Sequence, residues 1–206
     1  MMFENDTLKQ FTDKTAAADA VPGGGSVSAL AGALAAALAA MVAGLTLTKE
    51  RFAAVAPQME ALHRDAADLQ LKLLAAVDRD SESYQAVLAA FRLPKGTQTE
   101  IQARTAAIQE AFKGACKVPL QVAEMAKQVA DLAALAARDG NRDLITDACV
   151  SALLARAAGL GALMNVRVNL AAIKDADLVA QMDQKIKQIK QNIIEKEREI
   201  LETFPL

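Results

Sequence analysis

The chain has 206 residues, the size of one ordinary domain, and 53% of them are hydrophobic although only 3% are aromatic. Its core must therefore consist mainly of Ala, Leu, Val and Ile, which favours closely packed helices because alanine loses no side-chain entropy in a helix. The formal net charge of −2 argues against a general nucleic-acid binder, which needs a basic face to displace counterions from phosphates. No stretch resembles a linker, so we predict a single domain over residues 1–206 and no nucleic-acid partner.

The first predicted helices stand on either side of a glycine-rich break. We predict a short helix over about residues 6–18, then a break at Pro22 and three glycines. The next helix, with Ser26 as its N-cap, contains 21 uncharged residues at 27–47 and is long enough to cross a bilayer. Those residues are rich in alanine, and we expect no second span, aromatic belt or basic flank to accompany them. We therefore predict a central helix of a bundle, and no membrane partner.

Four further helices are predicted, over about residues 57–91, 99–138, 146–173 and 176–203, and Pro119 should kink or interrupt the second of them. The last carries an apolar stripe at alternating spacings of four and three, at Met182, Ile186, Ile189, Ile193 and Ile200, with Lys196 as the one polar residue in the series. That stripe predicts packing along a bundle or against a second subunit. Since no strand pattern stands out, we predict an all-α, up-and-down bundle of about six helices with one buried Ala/Gly-rich helix.

Several kinds of chemistry are disfavoured by the residues that are present. Cys116 and Cys149 lie in helical patterns without the spacing of a metal or redox motif, which favours buried thiols in a reducing compartment. The single histidine, His63, lies in a charged stretch and is predicted to be at the surface. There is also no nucleophile elbow, phosphate-binding loop or paired Glu-x-x-His motif. Carboxylates, amides and backbone dipoles must therefore perform any catalysis, and no metal site is predicted.

One carboxylate falls on the apolar face of the helix predicted over residues 57–91. The inward stripe continues from Val77 through Asp80 and Tyr84 to Val87 and Phe91 at spacings of three and four. Asp78 and Glu82 are each about 200° away around the helix and fit a solvated face. A carboxylate on an apolar stripe is costly unless it is paired or lines a cavity. Asp80 is thus either a buried structural residue or a candidate catalytic group.

Small and polar residues share one face of the helix predicted over residues 146–173. Asn165 and Asn169 lie one turn apart, so their amides suit either one planar ligand or bonds to each other and the neighbouring backbone. Asp147 shares this face, although a carboxylate in a first turn also simply complements the helix dipole. Arg167 projects from the opposite side. Arg167 reaches the site of Asn165 and Asn169 only if this helix is kinked; otherwise it serves the site of another subunit.

The glycine break itself is a candidate binding element. Consecutive glycines let a ligand approach the backbone closely. Because Gly23, Gly24, Gly25 and Ser26 lead directly into a helix, free N–H groups point at whatever lies there, which favours a negative or electron-rich group. A tight turn without a ligand explains the same residues, so the motif by itself is weak.

Taken together, several segments resemble the formimidoyltetrahydrofolate cyclodeaminase / methenyltetrahydrofolate cyclohydrolase family. The longest is VPGGGSVSALAGALAAALAAMVAGLT at residues 21–46. The others, in the same order as in the family, are DRDSESY at 78–84, FRLPK at 91–95, KVPL at 117–120, GN at 140–141, ITDA at 145–148 and GALMNVRVNL at 161–170. The resemblance extends over about residues 11–175, most of the chain.

The resemblance implies an all-helical homodimer that acts on tetrahydrofolate one-carbon units in the cytoplasm. The catalytic aspartate of the family matches Asp80, with Asp78 as the alternative. Gly23 to Ser26, Asp147, Asn165, Arg167 and Asn169 are then expected to bind the substrate, a tetrahydrofolate derivative, without a metal or other cofactor. One departure follows Thr46: the family often has a lysine-rich run there, whereas Glu50 interrupts it here, which puts tight polyglutamate binding in doubt.

The candidate residues and the resemblance leave three hypotheses for the function. The leading hypothesis is a cyclodeaminase that converts 5-formimidoyltetrahydrofolate to 5,10-methenyltetrahydrofolate and releases ammonia. The second is a cyclohydrolase that converts the 5,10-methenyl form to 10-formyltetrahydrofolate. A third, of another class, is a non-catalytic helical interaction module that docks through its last helix. It requires Asp80, Asn165 and Asn169 to be satisfied structurally, with no cavity joining them.

Overall fold

The computed structural model describes residues 2–204, and six α-helices are found in that range. They are α1 (Leu8–Ala16), α2 (Gly24–Leu47), α3 (Ala56–Phe91), α4 (Gln98–Asp139), α5 (Ile145–Leu170) and α6 (Ala176–Glu202). Short 3-10 turns precede α1, α3 and α5, and no strand occurs in the described range. The predicted all-α bundle of six helices is confirmed. The sequence could predict it because proline, glycine and capping residues set helix limits locally.

Helix α2 is the central element, since it packs against α3, α4 and α5. Its inner face consists mostly of alanine and glycine, which lets neighbouring helices approach closely. At Gly32, for example, an added methyl would lie 3.0 Å from the Leu73 side chain. The outer face is not covered: Val27, Leu34 and Met41 are exposed there. The prediction of a central helix is thus confirmed for one side of α2 only.

The helix ends show where local signals were interpreted correctly and where they were not. Helix α4 begins at Gln98, close to the predicted residue 99, and is capped by Thr97 in a capping box with Glu100 that was not predicted. It continues through Pro119 without the interruption that the proline suggested. Ser26 is not the N-cap of α2, because the helix already begins at Gly24 with Gly23 as its N-cap. The serine hydroxyl is therefore free to bond elsewhere.

Helix α6 packs along its own bundle, against α4 and α5. Ile186, Ile189 and Ile193 of the predicted stripe belong to the hydrophobic core. One turn later the buried position is occupied by Glu197, whose carboxylate accepts a 2.8 Å bond from the Arg156 guanidinium on α5. The stripe is therefore continuous in space, with an ion pair in place of one apolar contact.

Two helical segments in the described residues, Gly24–Leu47 and Arg142–Leu170, are long and apolar enough to span a membrane by length and composition. The expectation that no second such segment accompanies the first was therefore wrong. Half of the apolar window in each segment is buried inside the bundle, as in core helices of other folds. Both cysteines are free and buried, and His63 is exposed, as predicted.

Candidate functional site

A cavity of about 440 Å³ opens at the end of the bundle where α2 begins. The loop before α2 and helices α3, α4 and α5 all contribute to its wall. Its polar end is formed by Gly23, Gly24, Gly25, Asp80, Asn165 and Asn169. Most of the residues predicted from the sequence as a site are thus brought together, although they come from three separate parts of the chain.

Asp80 lies against the first turn of α2. The Ser26 hydroxyl is fully buried and lies 3.3 Å from Oδ2 of Asp80, 2.8 Å from the carbonyl oxygen of Val77 and 3.3 Å from the hydroxyl of Ser81. Ser26 therefore contacts the carboxylate of Asp80, and its burial keeps it from touching a ligand directly.

The environment of Asp80 changes its acidity. Burial raises the pKa of its carboxyl above the usual value, because a desolvated carboxylate loses its hydration. The hydroxyl and the backbone N–H of Ser26 act in the opposite direction and lower that pKa, but burial is the larger effect. Asp80 is thus a carboxyl that holds its proton more tightly than a solvated aspartate and still has donors that support its ionised form.

Gly25 allows this contact to exist. A methyl group at Gly25 would overlap the carboxylate of Asp80, so only glycine permits the carboxylate to approach the helix start. Since Gly23 is an N-cap without a side-chain bond, the first N–H groups of α2 have no intrahelical acceptor and present partial positive charge. The glycine turn therefore faces the carboxylate and the cavity together.

The structure separates the two aspartates that the sequence left as alternatives. Asp78 accepts hydrogen bonds from the backbone N–H of Phe3, at 2.6 Å, and of Glu4, at 3.4 Å. It is partly buried in this contact, so the prediction that it lies on a solvated face was wrong. Asp78 anchors the N-terminal segment, whereas Asp80 lines the cavity.

The two asparagines reach the cavity from α5. The amide nitrogen of Asn165 donates to the carbonyl of Gly161 at 2.9 Å, and that of Asn169 donates to the carbonyl of Ala115 at 3.0 Å. These bonds fix the orientation of both side chains. Within residues 2–204 their amide oxygens accept no hydrogen bond, which leaves two acceptors for a ligand with N–H groups.

Two predicted binding residues lie outside the cavity of the subunit. Asp147 is in the first turn of α5, eighteen residues before Asn165, or about 27 Å along the helix axis. Arg167 is more than half exposed and its guanidinium lies 3.3 Å from Asp183 on α6. Neither residue lines the cavity of its own chain.

The other end of the cavity is apolar and was only partly anticipated. It is lined by Tyr84, Val87, Leu88, Phe91 and Phe112. The rings of Phe91 and Phe112 meet edge to face, with centroids 6.0 Å apart. The stripe on α3 indicated Tyr84, Val87 and Phe91, but no pattern in α4 pointed to Phe112. Among the described residues, no group of three or more His, Cys, Asp or Glu is arranged to hold a metal ion.

Comparisons with known proteins point to one family over nearly the whole chain. The family model for formiminotransferase-cyclodeaminase matches residues 7–188. A methenyltetrahydrofolate cyclohydrolase from Methylorubrum extorquens is 36% identical over 174 residues, which cover 84% of this chain and 84% of that protein. The solved structure of a formiminotetrahydrofolate cyclodeaminase from Thermotoga maritima superposes with a TM-score of 0.87 at 30% identity, covering 97% of this chain and 96% of that one.

Longer relatives match only in part. The formimidoyltransferase-cyclodeaminase of Rattus norvegicus is 34% identical over 169 residues, which are 82% of this chain but 31% of that protein. The present chain therefore corresponds to one portion of these larger proteins.

Proposed function

The chain belongs to the formiminotransferase-cyclodeaminase family, and we propose that it converts 5-formimidoyltetrahydrofolate to 5,10-methenyltetrahydrofolate with release of ammonia. The observation that carries this proposal is the single desolvated carboxylate, Asp80, at a helix N-terminus inside a cavity with both polar and apolar walls. The reaction needs one group that moves protons beside a developing cation, and Asp80 has both properties.

The chemistry can be written with Asp80 as the only proton carrier. The formimidoyl group on N5 reacts as its protonated amidinium form, N5–CH=NH2+. N10 of the folate attacks its carbon, and the N10–H proton passes to the carboxylate of Asp80. The protonated Asp80 then returns that proton to the formimidoyl nitrogen, which leaves as ammonia when its bond to carbon breaks. The product carries its positive charge on the N5–C–N10 bridge, and the regenerated carboxylate stabilises that charge. No metal or other cofactor enters this scheme.

The surroundings of Asp80 suit both halves of this cycle. Burial raises the pKa of Asp80, which helps it to keep the proton until ammonia departs. The Ser26 hydroxyl and the N-terminus of α2 support the ionised form that must be regenerated. Asn165 and Asn169 offer amide oxygens to the N–H groups of the pterin ring.

Cyclohydrolase activity is the second candidate, and the Methylorubrum extorquens relative favours it. In that reaction water attacks the methenyl carbon and Asp80 accepts one proton from the water. Asp80 returns this proton to N5 as the carbon–N5 bond breaks, and the remaining hydroxyl proton is released to solvent as the carbonyl of 10-formyltetrahydrofolate forms. The same cavity serves both reactions because they share a ring system, a cation and a proton transfer. A paired assay of both folates with one preparation tells which is faster.

We predict that Asp80→Asn lowers turnover of both folates by about 100-fold or more, the usual contribution of a general acid–base group. The assay follows ammonia release and methenyl absorbance. Asp78→Asn is the matched control, since it removes a neighbouring charge outside the cavity and should retain turnover. Near-normal rates for Asp80→Asn, or equal losses in the two variants, would contradict the assignment.

The same variant has an expected effect on stability. The pKa of Asp80 is higher in the folded state than in the unfolded chain, so ionisation of Asp80 costs stability as the pH rises. At neutral pH a neutral asparagine should therefore leave the melting temperature unchanged or higher. An Asp80→Asn variant that is inactive but melts at or above the wild-type temperature has therefore lost a catalytic group and not its fold.

We further propose a homodimer in the cytoplasm. An exposed apolar face, formed by α2 and α5, consists of Val27, Leu34, Met41, Leu45, Val150, Leu153, Met164 and Val168. The two helices lie side by side, since the buried Ser151 hydroxyl donates to the carbonyl of Ala35 at 2.7 Å. A continuous apolar face of this kind is usually covered by a partner, and Val168 also lines the cavity. A second copy is therefore proposed to cover the face and border the site.

The interaction-module hypothesis required no cavity to join the polar residues. The cavity joins Asp80, the glycine turn and both asparagines, although not Asp147. Together with membership of an enzyme family, this favours catalysis over docking alone.

A further inference from the structure

The cavity lacks a positive charge for part of its proposed substrate. Among the described residues that line it, Asp80 alone is charged. A folate with one glutamate carries two carboxylates, both ionised at neutral pH. A negatively charged cavity would repel that end of the molecule, so a cation near the opening is needed to offset the repulsion.

Arg104 supplies a cation at the apolar end. Its guanidinium lies 5.6 Å from the centre of the Phe91 ring, and Phe91 lines the cavity. Its Nε and Nη2 donate to the carbonyl oxygen of Phe91 at 3.2 and 3.0 Å, which holds the side chain at the C-terminus of α3. Those two bonds leave other donors of the guanidinium free, since arginine has five N–H groups.

Arg104 differs from several other cations of the chain, which are paired with carboxylates. Lys14 pairs with Asp6, Lys113 with Asp175 and Arg167 with Asp183. Within residues 2–204, by contrast, the Arg104 guanidinium donates to the carbonyl oxygen of Phe91 and to no carboxylate. Glu100, one turn earlier on α4, is engaged by the backbone N–H groups of Gly96 and Thr97. The Arg104 charge is therefore available to a ligand.

The distance along α3 from Asp80 to Phe91 is longer than the span of a folate from its reacting bridge to its first glutamate carboxylate, and the arginine side chain must bridge the difference. Phe91 lies eleven residues after Asp80, or about 16 Å along the helix axis. From N10 of a folate, across the p-aminobenzoyl ring, to the first carboxylate of the glutamate is roughly 10 Å by standard bond lengths. With the reacting bridge at Asp80, the aromatic ring lies beside Val87 and Phe112, and the carboxylate comes within reach of an arginine side chain anchored at Phe91.

We propose that the apolar end of the cavity binds the p-aminobenzoylglutamate half of the substrate, and that Arg104 pairs with the glutamate carboxylate. The inference rests on the proposed folate activity and adds an orientation to it. The pterin lies at the end with Gly24 and Asn165, and the glutamate leaves along the turn between α3 and α4. Exposed Arg92 and Lys95 in that turn add positive charge on the same path.

The test compares two substrates in two variants. The substrates are 5-formimidoyltetrahydrofolate with one glutamate and the corresponding pteroate, which lacks it. Arg104→Gln removes the charge but keeps an N–H donor for the carbonyl of Phe91, so the helix end is preserved. Arg64→Gln, an exposed arginine earlier on α3, is the matched control.

For the glutamate substrate, Arg104→Gln should raise KM about tenfold with kcat nearly unchanged, while the pteroate should show little change. Arg104→Lys should recover part of the lost affinity, because the charge returns without the planar fork. Rising salt should raise the wild-type KM for the glutamate substrate more than that of Arg104→Gln. Equal effects of Arg104→Gln on both substrates would overturn the inference, even with the folate activity intact.

If the wild-type chain turns over neither folate, the proposed function fails, and the subsite is measured by calorimetry with N-(p-aminobenzoyl)glutamate. Weaker binding by Arg104→Gln than by Arg64→Gln would then support the subsite. Equal binding by the two variants would reject it.

Discussion

At the scale of single residues, the contact between Asp80 and the first turn of α2 depends on two small side chains. Gly25 leaves room for the carboxylate, and Ser26 offers it a hydroxyl from a fully buried position. Asp78, two residues earlier, faces the N-terminal segment and accepts its backbone N–H groups. One helix thus carries a structural and a proposed catalytic aspartate, and the neighbours of each determine its role.

Ser26→Ala should change the pH dependence of the reaction. The Ser26 hydroxyl lowers the pKa of Asp80, so its removal raises that pKa further. Because proton transfer from N10 needs the ionised carboxylate, the acid limb of kcat/KM against pH should move to higher pH. On the plateau, kcat should fall by less than about tenfold.

The control for this experiment is Ser151→Ala, which removes a buried hydroxyl that bonds the carbonyl of Ala35 outside the cavity. It should lower stability without moving the pH profile. An acid limb that is unchanged in Ser26→Ala, or displaced equally in both variants, would show that Ser26 does not tune Asp80.

At the scale of elements, the bundle is held by close helix crossings and by one largely buried ion pair. A methyl at Gly159 on α5 would overlap the Ile193 side chain, so glycine lets α6 approach at that level. One turn away the pair of Arg156 and Glu197 joins the same two helices. The carboxylate is 8% exposed and the guanidinium 44% exposed, so loss of the arginine leaves a buried charge.

Arg156→Met should therefore destabilise the fold by about 2 kcal/mol, the cost of leaving a buried group without its partner. For a chain of this size that corresponds to a fall of roughly 4–8 °C in melting temperature. The double variant Arg156→Met/Glu197→Leu should recover most of the loss, since the unpaired charge is then absent. A double variant less stable than Arg156→Met would mean that packing at this crossing, and not charge, accounts for the effect.

At the scale of the whole molecule, the exposed apolar face of α2 and α5 is the main feature that a single copy leaves uncovered. It runs beside the cavity, where Val168 belongs to both. Arg167 and Asp147 lie on the same helix as that face and outside the cavity of their own chain.

Leu34→Glu should convert the proposed dimer into a monomer, because a charge at the middle of the apolar face must be desolvated on association. Light scattering should give about twice 21.7 kDa for the wild type and about 21.7 kDa for the variant. Leu71→Glu is the control, as Leu71 is 66% exposed on α3 outside that face. A monomeric wild type, or a Leu34→Glu variant that stays dimeric, would contradict the proposed interface.

The features determined by the sequence alone are those that depend on local interactions. The predicted helix limits near Pro57 and before Gly140 agree with the ends of α3 and α4, because capping and proline geometry involve only neighbouring residues. The stripe on α3 singled out Asp80 by helical periodicity, and the structure gives it a cavity. The family followed from motifs distributed along the chain, and the matching model confirms it.

Only the tertiary structure decided which of these residues meet. Gly25 and Asp80 are 55 residues apart, and their contact results from the packing of α2 on α3. Helix packing likewise gave Asp78 a structural partner in Phe3, brought Phe112 to the apolar end of the cavity, and left Asp147 at the far end of α5. Periodicity identifies the face on which a residue lies, but the neighbour of that face depends on how distant helices pack, which no local pattern in the chain encodes.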